Sequence, residues 1–214
     1  MRCALLGLGV ACASPLAAQV FEGARLEVRQ QADPAVLVSS LGAREPEWLA
    51  WRVPGSPSAG DLCCFDRSFS DRRCELVGSE GGWGSTTDFR RPPGPTTLTV
   101  LVEVEKGRVR RVRPIGPHCT VEGGGRRVIE VQGVDPQRSL ALLVGVASAA
   151  DRQEVGHIGD MALGAVAYHR DSTPALVRVL KTARQRELRR QALFWLGQSD
   201  DPQALKEIEM ILDR

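Results

Sequence analysis

The stretch "RELRRQALFWLGQSDDPQALKEIEMIL", Arg186–Leu212, decides how the C-terminal part of the chain is read. Apolar residues recur at three- and four-residue spacing on both sides of Asp201-Pro202, which predicts two short helices joined by an acidic elbow. Pro202 suits the first turn of the second helix, where a missing N–H leaves no bond unmade. Upstream, "MALGAVAYHRDSTPALVRVL" (Met161–Leu180) can be laid over "QALFWLGQSDDPQALKEIEM" (Gln191–Met210). Ala162 then falls on Ala192, Leu163 on Leu193 and Val166 on Leu196. After a one-residue slip in the elbow, Ala175 falls on Ala204, Leu176 on Leu205 and Val179 on Ile208. A repeated unit of helix, elbow with proline, and helix is expected. Thr173 is expected to cap the helix that Pro174 opens. A further helix is expected from Asp135-Pro136 to about Ala149, with Leu140, Leu143, Val144 and Ala147 on one stripe, and another from about Ile158 to Tyr168.

The chain changes character near Gly133. Before it, Gly, Pro and β-branched residues alternate with charges. "GARLEVRQ" and "RRVIEVQGV" read as strands, and Asp33-Pro34 opens a short helix that stops at Gly42. "EWLAWRVPG" reads as a strand with Trp48, Ala50 and Arg52 on one face and Leu49, Trp51 and Val53 on the other. In "TTLTVLVEVEKGRVRRVRPIG", Leu98, Val100, Val102 and Val104 share one phase, and Lys106-Gly107 makes a hairpin turn. Val109 and Val112 differ in phase, so either a bulge lies in the return strand or one of them faces solvent. "PGSPSAGDLCCFDRSFSDRRCELVGSEGGWGS" reads as loop, stapled by its cysteines.

The chain has 214 residues with a formal net charge of +2, a balance that argues against a dedicated nucleic-acid binder. The first residues carry one Arg, an apolar run from Cys3 to Ala13, and small residues around Pro15. That is the layout of a secretory signal peptide over residues 1–18, with a cut expected after Ala18. The run is too short to span a bilayer, and no second run of membrane length follows. Beyond the signal, Cys63, Cys64, Cys74 and Cys119 form an even set, which in an exported chain implies two disulfides. Adjacent cysteines rarely bond to each other, so one of Cys63 and Cys64 pairs with Cys74 and the other with Cys119; the sequence leaves the choice open.

The segment "VRVLKTARQRELRRQALFWLGQSDDPQALKEIEMIL", Val177–Leu212, resembles the HEAT repeat, in the short bacterial form also seen in phycobilisome-lyase-like proteins. With "EWLAWRVPG", "CCFD" and "RVRRVRPIGPHC" upstream, the chain resembles exported bacterial HEAT-repeat proteins whose N-terminal part is rich in Trp and Cys. The resemblance implies a short helical stack that presents a binding surface and no activity. Only about two and a half repeats fit, where three or more are needed to bury a core. Stability then has to come from the β part docking on the helices, or from self-association.

Candidate chemistry is thin. Cys63, Cys64, Cys74, His118 and Cys119 lack the Cys-x2-Cys spacing of a zinc site, and a redox pair would want Cys-x-x-Cys. His157 with Asp160 reads as a solvated helix start, and His169 sits at a helix C-terminus, where the dipole favours a cation. No Gly-x-Ser-x-Gly elbow accompanies a histidine. "EGGGRR" precedes a strand, so it reads as a turn and not a phosphate loop. "KGRVRRVR" reads as the solvent face of a strand, with an anionic partner as the alternative. Phe194 and Trp195 read as core between repeats.

The expected fold class is α+β: a signal peptide over 1–18, a small β-rich disulfide-stapled domain over 19–133, and a short α-helical HEAT-like solenoid over 134–214. The expected function is that of an extracytoplasmic protein-binding or scaffolding module, with no catalytic, cofactor or metal site, a protein partner whose identity the sequence does not give, no nucleic acid and no membrane span. A ligand-binding accessory protein is the first alternative, which a concave pocket with convergent polar groups would favour. A cysteine-based redox or metal protein is the second.

Overall fold

The computed structural model describes residues 20–42, 45–64, 73–77, 83–85, 96–150, 158–199 and 201–212. The expected signal peptide, His157 and Asp200 lie outside the described residues. The strands are β1 (Phe21–Glu22), β2 (Arg25–Gln30), β3 (Glu47–Gly55), β4 (Leu62–Cys64), β5 (Arg73–Glu75), β6 (Trp83–Ser85), β7 (Thr96–Glu105), β8 (Arg108–Ile115), β9 (Thr120–Glu122) and β10 (Arg127–Gln132). The helices are α1 (Pro34–Ser40), α2 (Pro136–Ala149), α3 (Asp160–Ala167), α4 (Thr173–Thr182), α5 (Arg186–Gly197) and α6 (Pro202–Leu212), with a 3-10 turn over Pro57–Asp61.

The centre is a five-stranded mixed sheet in the order β2-β10-β3-β7-β8. β10 runs parallel to both β2 and β3, while β3, β7 and β8 are antiparallel neighbours. Local chemistry explains the pieces. Lys106 and Gly107 both take positive φ (53° and 72°), as a two-residue hairpin turn requires. The ladder shifts register between Glu103 and Val104, opposite Arg111 and Val109, so Arg110 is the extra residue of a bulge. That bulge brings Val109 and Val112 to the same core, so neither valine is lost to solvent. Asp33 and Asp135 cap α1 and α2, their carboxylates accepting from the N–H of Ala35 and Arg138, each followed by a proline.

The sheet is apolar on both faces. Leu49, Trp51, Val53, Val100, Val102 and Ile129 face one core, and Trp48, Ala50, Leu101 and Val128 face another. This explains why β3 shows no clean apolar/polar alternation: a strand covered on both sides reads as a continuous apolar run. The first core is closed by the helices through Leu140, Leu143, Leu163, Leu176, Leu188 and Leu196. The second is closed by two small sheets, β1-β9-β5 and β4-β6, and by the cysteines.

The expected arrangement, a small N-terminal β-rich domain followed by a short HEAT-like solenoid, is therefore not what the chain forms. One core runs without a break from Leu37 on α1, through the sheet, to Ala204 on α6. The physical reason is the apolar face of β3, β7 and β10 that carries Leu49, Trp51, Val100 and Ile129, which needs a covering layer; the helices supply it. The stretch read as loop also differs, since it carries the 3-10 turn and β4, β5 and β6. At α4 the N-cap is Ser172, without a side-chain capping bond; Thr173 is already helical and its hydroxyl donates to Asp201 Oδ2 at 2.6 Å.

Candidate functional site

The site is built where β3 ends. Gly55 is closely packed: a Cβ there would stand 3.0 Å from the Leu98 backbone N and 3.1 Å from the Ala59 Cβ, so a side chain would require its neighbours to shift. The end of β3 also pairs with the turn between α3 and α4. Gly55 bridges His169, Ser56 N–H donates to Tyr168 O at 2.8 Å, and Arg170 N–H donates to Pro54 O at 3.0 Å. The turn closes through Asp171 at φ 59°.

Behind the turn runs a buried chain of hydrogen bonds. Trp51 Nε1–H donates to Ser139 Oγ at 2.8 Å, and Ser139 Oγ lies 2.9 Å from His169 Nε2. His169 Nδ1 lies 2.8 Å from the Ala165 carbonyl, which only accepts, so Nδ1 carries the proton and Ser139 O–H donates to Nε2. Burial pushes the His169 pKa down to about 4, with the Ala165 bond opposing. The expected cation at a helix end is thus a neutral imidazole instead.

In front of the turn lies an open cleft of about 860 Å³. Its walls come from the 3-10 turn (Ser56, Ser58), from α3 (Asp160, Met161), from the α3–α4 turn (Tyr168, Arg170), and from α5 and the following elbow (Phe194, Trp195, Gln198, Asp201). Three rings gather on one side. Tyr168 and Trp195 meet edge-on at 5.8 Å, and Phe194 and Trp195 at 5.2 Å. Asp160 opens α3 half-buried, and burial raises its pKa; the neighbouring Trp195 indole pulls the other way, and Glu187 adds a smaller repulsion. Burial likewise pushes the Tyr168 phenol up. Asp201 is held as an anion: the Thr173 hydroxyl, then the Gln203 N–H, lower its pKa.

The residues singled out in the sequence lie elsewhere. Cys63 bonds Cys119 and Cys64 bonds Cys74, which closes the choice left open above. Both bridges are buried beside Trp48, Leu101 and Ile115, on the sheet face turned away from α2. With the thiols closed, the cysteine-based redox or metal reading loses its reactive groups. His118 is exposed, and among the described residues no three His, Cys, Asp or Glu side chains group to hold a metal ion. The Arg-rich return strand is paired with acids: Arg110 with Glu105 at 3.2 Å and Arg111 with Glu103 at 3.3 Å, while Arg113 stacks over Trp48 at 5.5 Å. "EGGGRR" forms the turn into β10 through Gly124 and Gly125, both at positive φ, and Arg127 pairs with Glu27 and Glu47.

Phe194 corrects the sequence reading, since it is 57% exposed and lines the cleft, whereas Trp195 is partly buried and packs against the core while also lining the cleft. One signal was present: the chain's single Tyr and the Phe194-Trp195 pair all stand at helix C-termini beside elbows, in runs otherwise built of Ala, Leu and Val. A comparison of the chain with known protein families, with curated proteins and with solved structures finds no match.

Proposed function

We propose that this chain is an extracytoplasmic ligand-binding protein and that the cleft between the 3-10 turn and α5 is its binding site. The observation that carries this reading is the convergence of three aromatic rings with the half-buried Asp160 carboxylate in one cavity of about 860 Å³. That size, with an aromatic wall facing a largely polar lining, suits a small organic molecule. The two closed disulfides fit an oxidising compartment, and among the described residues no helix is long and apolar enough to cross a membrane. Binding is the role the lining supports: Ser139 and His169 are hydrogen-bonded as a nucleophile and base would be, yet they are 0% and 1% exposed, although His169 borders the cleft. The test is a fragment screen read by backbone amide shifts in the oxidised mature chain. Shifts clustering on Asp160, Tyr168 and Trp195 support the reading; a screen that never moves these amides sinks it.

A protein-binding reading keeps one support. Leu193, Leu205 and Met210 on the last two helices are 39%, 61% and 48% exposed. Leu163 and Leu176, aligned with the first two in the repeat, are 0% exposed. If this face joins two copies, sedimentation shows a dimer that Leu205→Glu abolishes; a monomer at every accessible concentration removes self-association.

A further inference from the structure

The cleft lining is unbalanced in charge. Asp160, Asp171 and Asp201 line it, against Arg170 as the one cationic side chain among the described lining residues, His169 being neutral. Asp201 is fixed as an anion by the Thr173 hydroxyl at 2.6 Å and the Gln203 N–H at 3.0 Å. Asp160 differs from the carboxylates that the sheet pairs with cations. Glu27, Glu47, Glu103, Glu105 and Glu130 each hold an arginine. Among the described residues no such ion pair reaches Asp160, which instead stands beside Trp195 in a half-buried setting. A carboxylate taken out of water without a cation is a costly arrangement, and it is relieved when a cation arrives.

We propose that the cleft binds a small organic cation, an ammonium or quaternary ammonium group on an apolar body, with Asp160 as counter-charge and Trp195, Tyr168 and Phe194 as walls. This rests on the reading of the cleft as a ligand site. The negative faces of aromatic rings attract a cation, and the attraction grows when the cation is desolvated. The half-buried carboxylate adds a Coulomb term that water screens poorly at that depth. The same groups disfavour an anion, whose approach to Asp160 and Asp201 is repulsive. Arg170 is exposed, so water screens its charge more than that of the half-buried Asp160.

Three probes of nearly equal shape separate charge from size: choline, its neutral analogue 3,3-dimethylbutan-1-ol, and the anion 3,3-dimethylbutanoate. Each is titrated into the oxidised mature chain and into Asp160→Asn, with cleft amide shifts as readout. The expected result is choline binding about tenfold or more tighter than the alcohol, with no shifts from the anion. In Asp160→Asn the preference for choline over the alcohol falls to about twofold or less, with the fold intact. Equal or tighter binding of the alcohol or the anion overturns the cation proposal and leaves the ligand cleft standing. An undiminished preference in Asp160→Asn overturns the role given to that carboxylate. Silence of the cleft amides with all three probes overturns the cation proposal; silence in the fragment screen as well removes the ligand site itself.

Discussion

Ser139 donates its hydroxyl proton to His169 Nε2 across 2.9 Å, inside the core, and that bond ties α2 to the turn that forms the back of the cleft. Ser139 also accepts from Trp51 of β3, so one hydroxyl joins the sheet, α2 and the α3–α4 turn. Ser139→Ala leaves two buried polar atoms, Trp51 Nε1 and His169 Nε2, without their partner. Each such loss costs about 1–3 kcal/mol, so a destabilisation of roughly 2–6 kcal/mol is expected in urea unfolding. A loss below about 0.5 kcal/mol would show that the chain of bonds contributes nothing to holding the turn.

The same histidine sets a pH dependence. Its folded pKa, about 4, lies below the usual 6.5 because burial disfavours the imidazolium. Between these values the unfolded chain binds the proton and the folded chain does not, so stability rises with pH there. The contribution is fully present above about pH 6.5 and is lost as pH falls toward 4, on the order of 3 kcal/mol in all. The check is the urea midpoint of the wild type and His169→Gln between pH 4 and pH 7.5. The wild type should lose stability more steeply on acidification than the variant; parallel profiles would mean that His169 titrates normally.

The two disulfides differ in the loops they close. Cys63–Cys119 spans a separation of 56 residues, and Cys64–Cys74 spans 10. Loop-closure entropy gives about 4 kcal/mol for the first and about 3 kcal/mol for the second. The paired variant Cys63→Ser/Cys119→Ser is therefore expected to unfold at lower denaturant than Cys64→Ser/Cys74→Ser. The reverse order would place the larger constraint in the local bridge. Both variants are compared with the oxidised wild type, whose mass falls by four hydrogens from the reduced chain if both bridges are closed.

Much of the local structure was legible because it obeys short-range rules. Asp-Pro steps announced α1, α2 and α6; Lys106-Gly107 announced the hairpin; the phases of Leu98 to Val104 named the face that meets the helices. Even the bulge was signalled by Val109 and Val112. What stayed hidden depends on long-range pairing. β10 lies between β2 and β3, pairing Arg127 with Arg25 and Val128 with Trp48, and no local period reports a parallel neighbour so far away in sequence. Without that pairing the sheet looked small and the helices looked free to stack alone. The cleft was hidden for the same reason. Asp160, Tyr168 and Trp195 come together only after β3 pairs with the α3–α4 turn, and each had an innocent local explanation as helix start, helix end or core.

Asp160 yields a prediction independent of any ligand. Burial raises its pKa, so the folded state favours the protonated carboxyl relative to the unfolded chain. For a raised carboxyl pKa, the relative stability is present at low pH and is lost as pH rises through the folded value. Asp160→Asn removes the charge and keeps the shape, at the expense of the favourable placement of a carboxylate at the α3 N-terminus, worth about 0.3–1 kcal/mol. Desolvation is the larger effect in this half-buried position, so the variant is expected to be more stable than the wild type at pH 7. The two should converge near pH 3, where the wild-type carboxyl is protonated. Thermal unfolding of both proteins across this range is the check. A variant that is less stable at pH 7 would mean that the charge of Asp160 is already compensated in the empty protein, and the electrostatic case for a cationic ligand would fall with it.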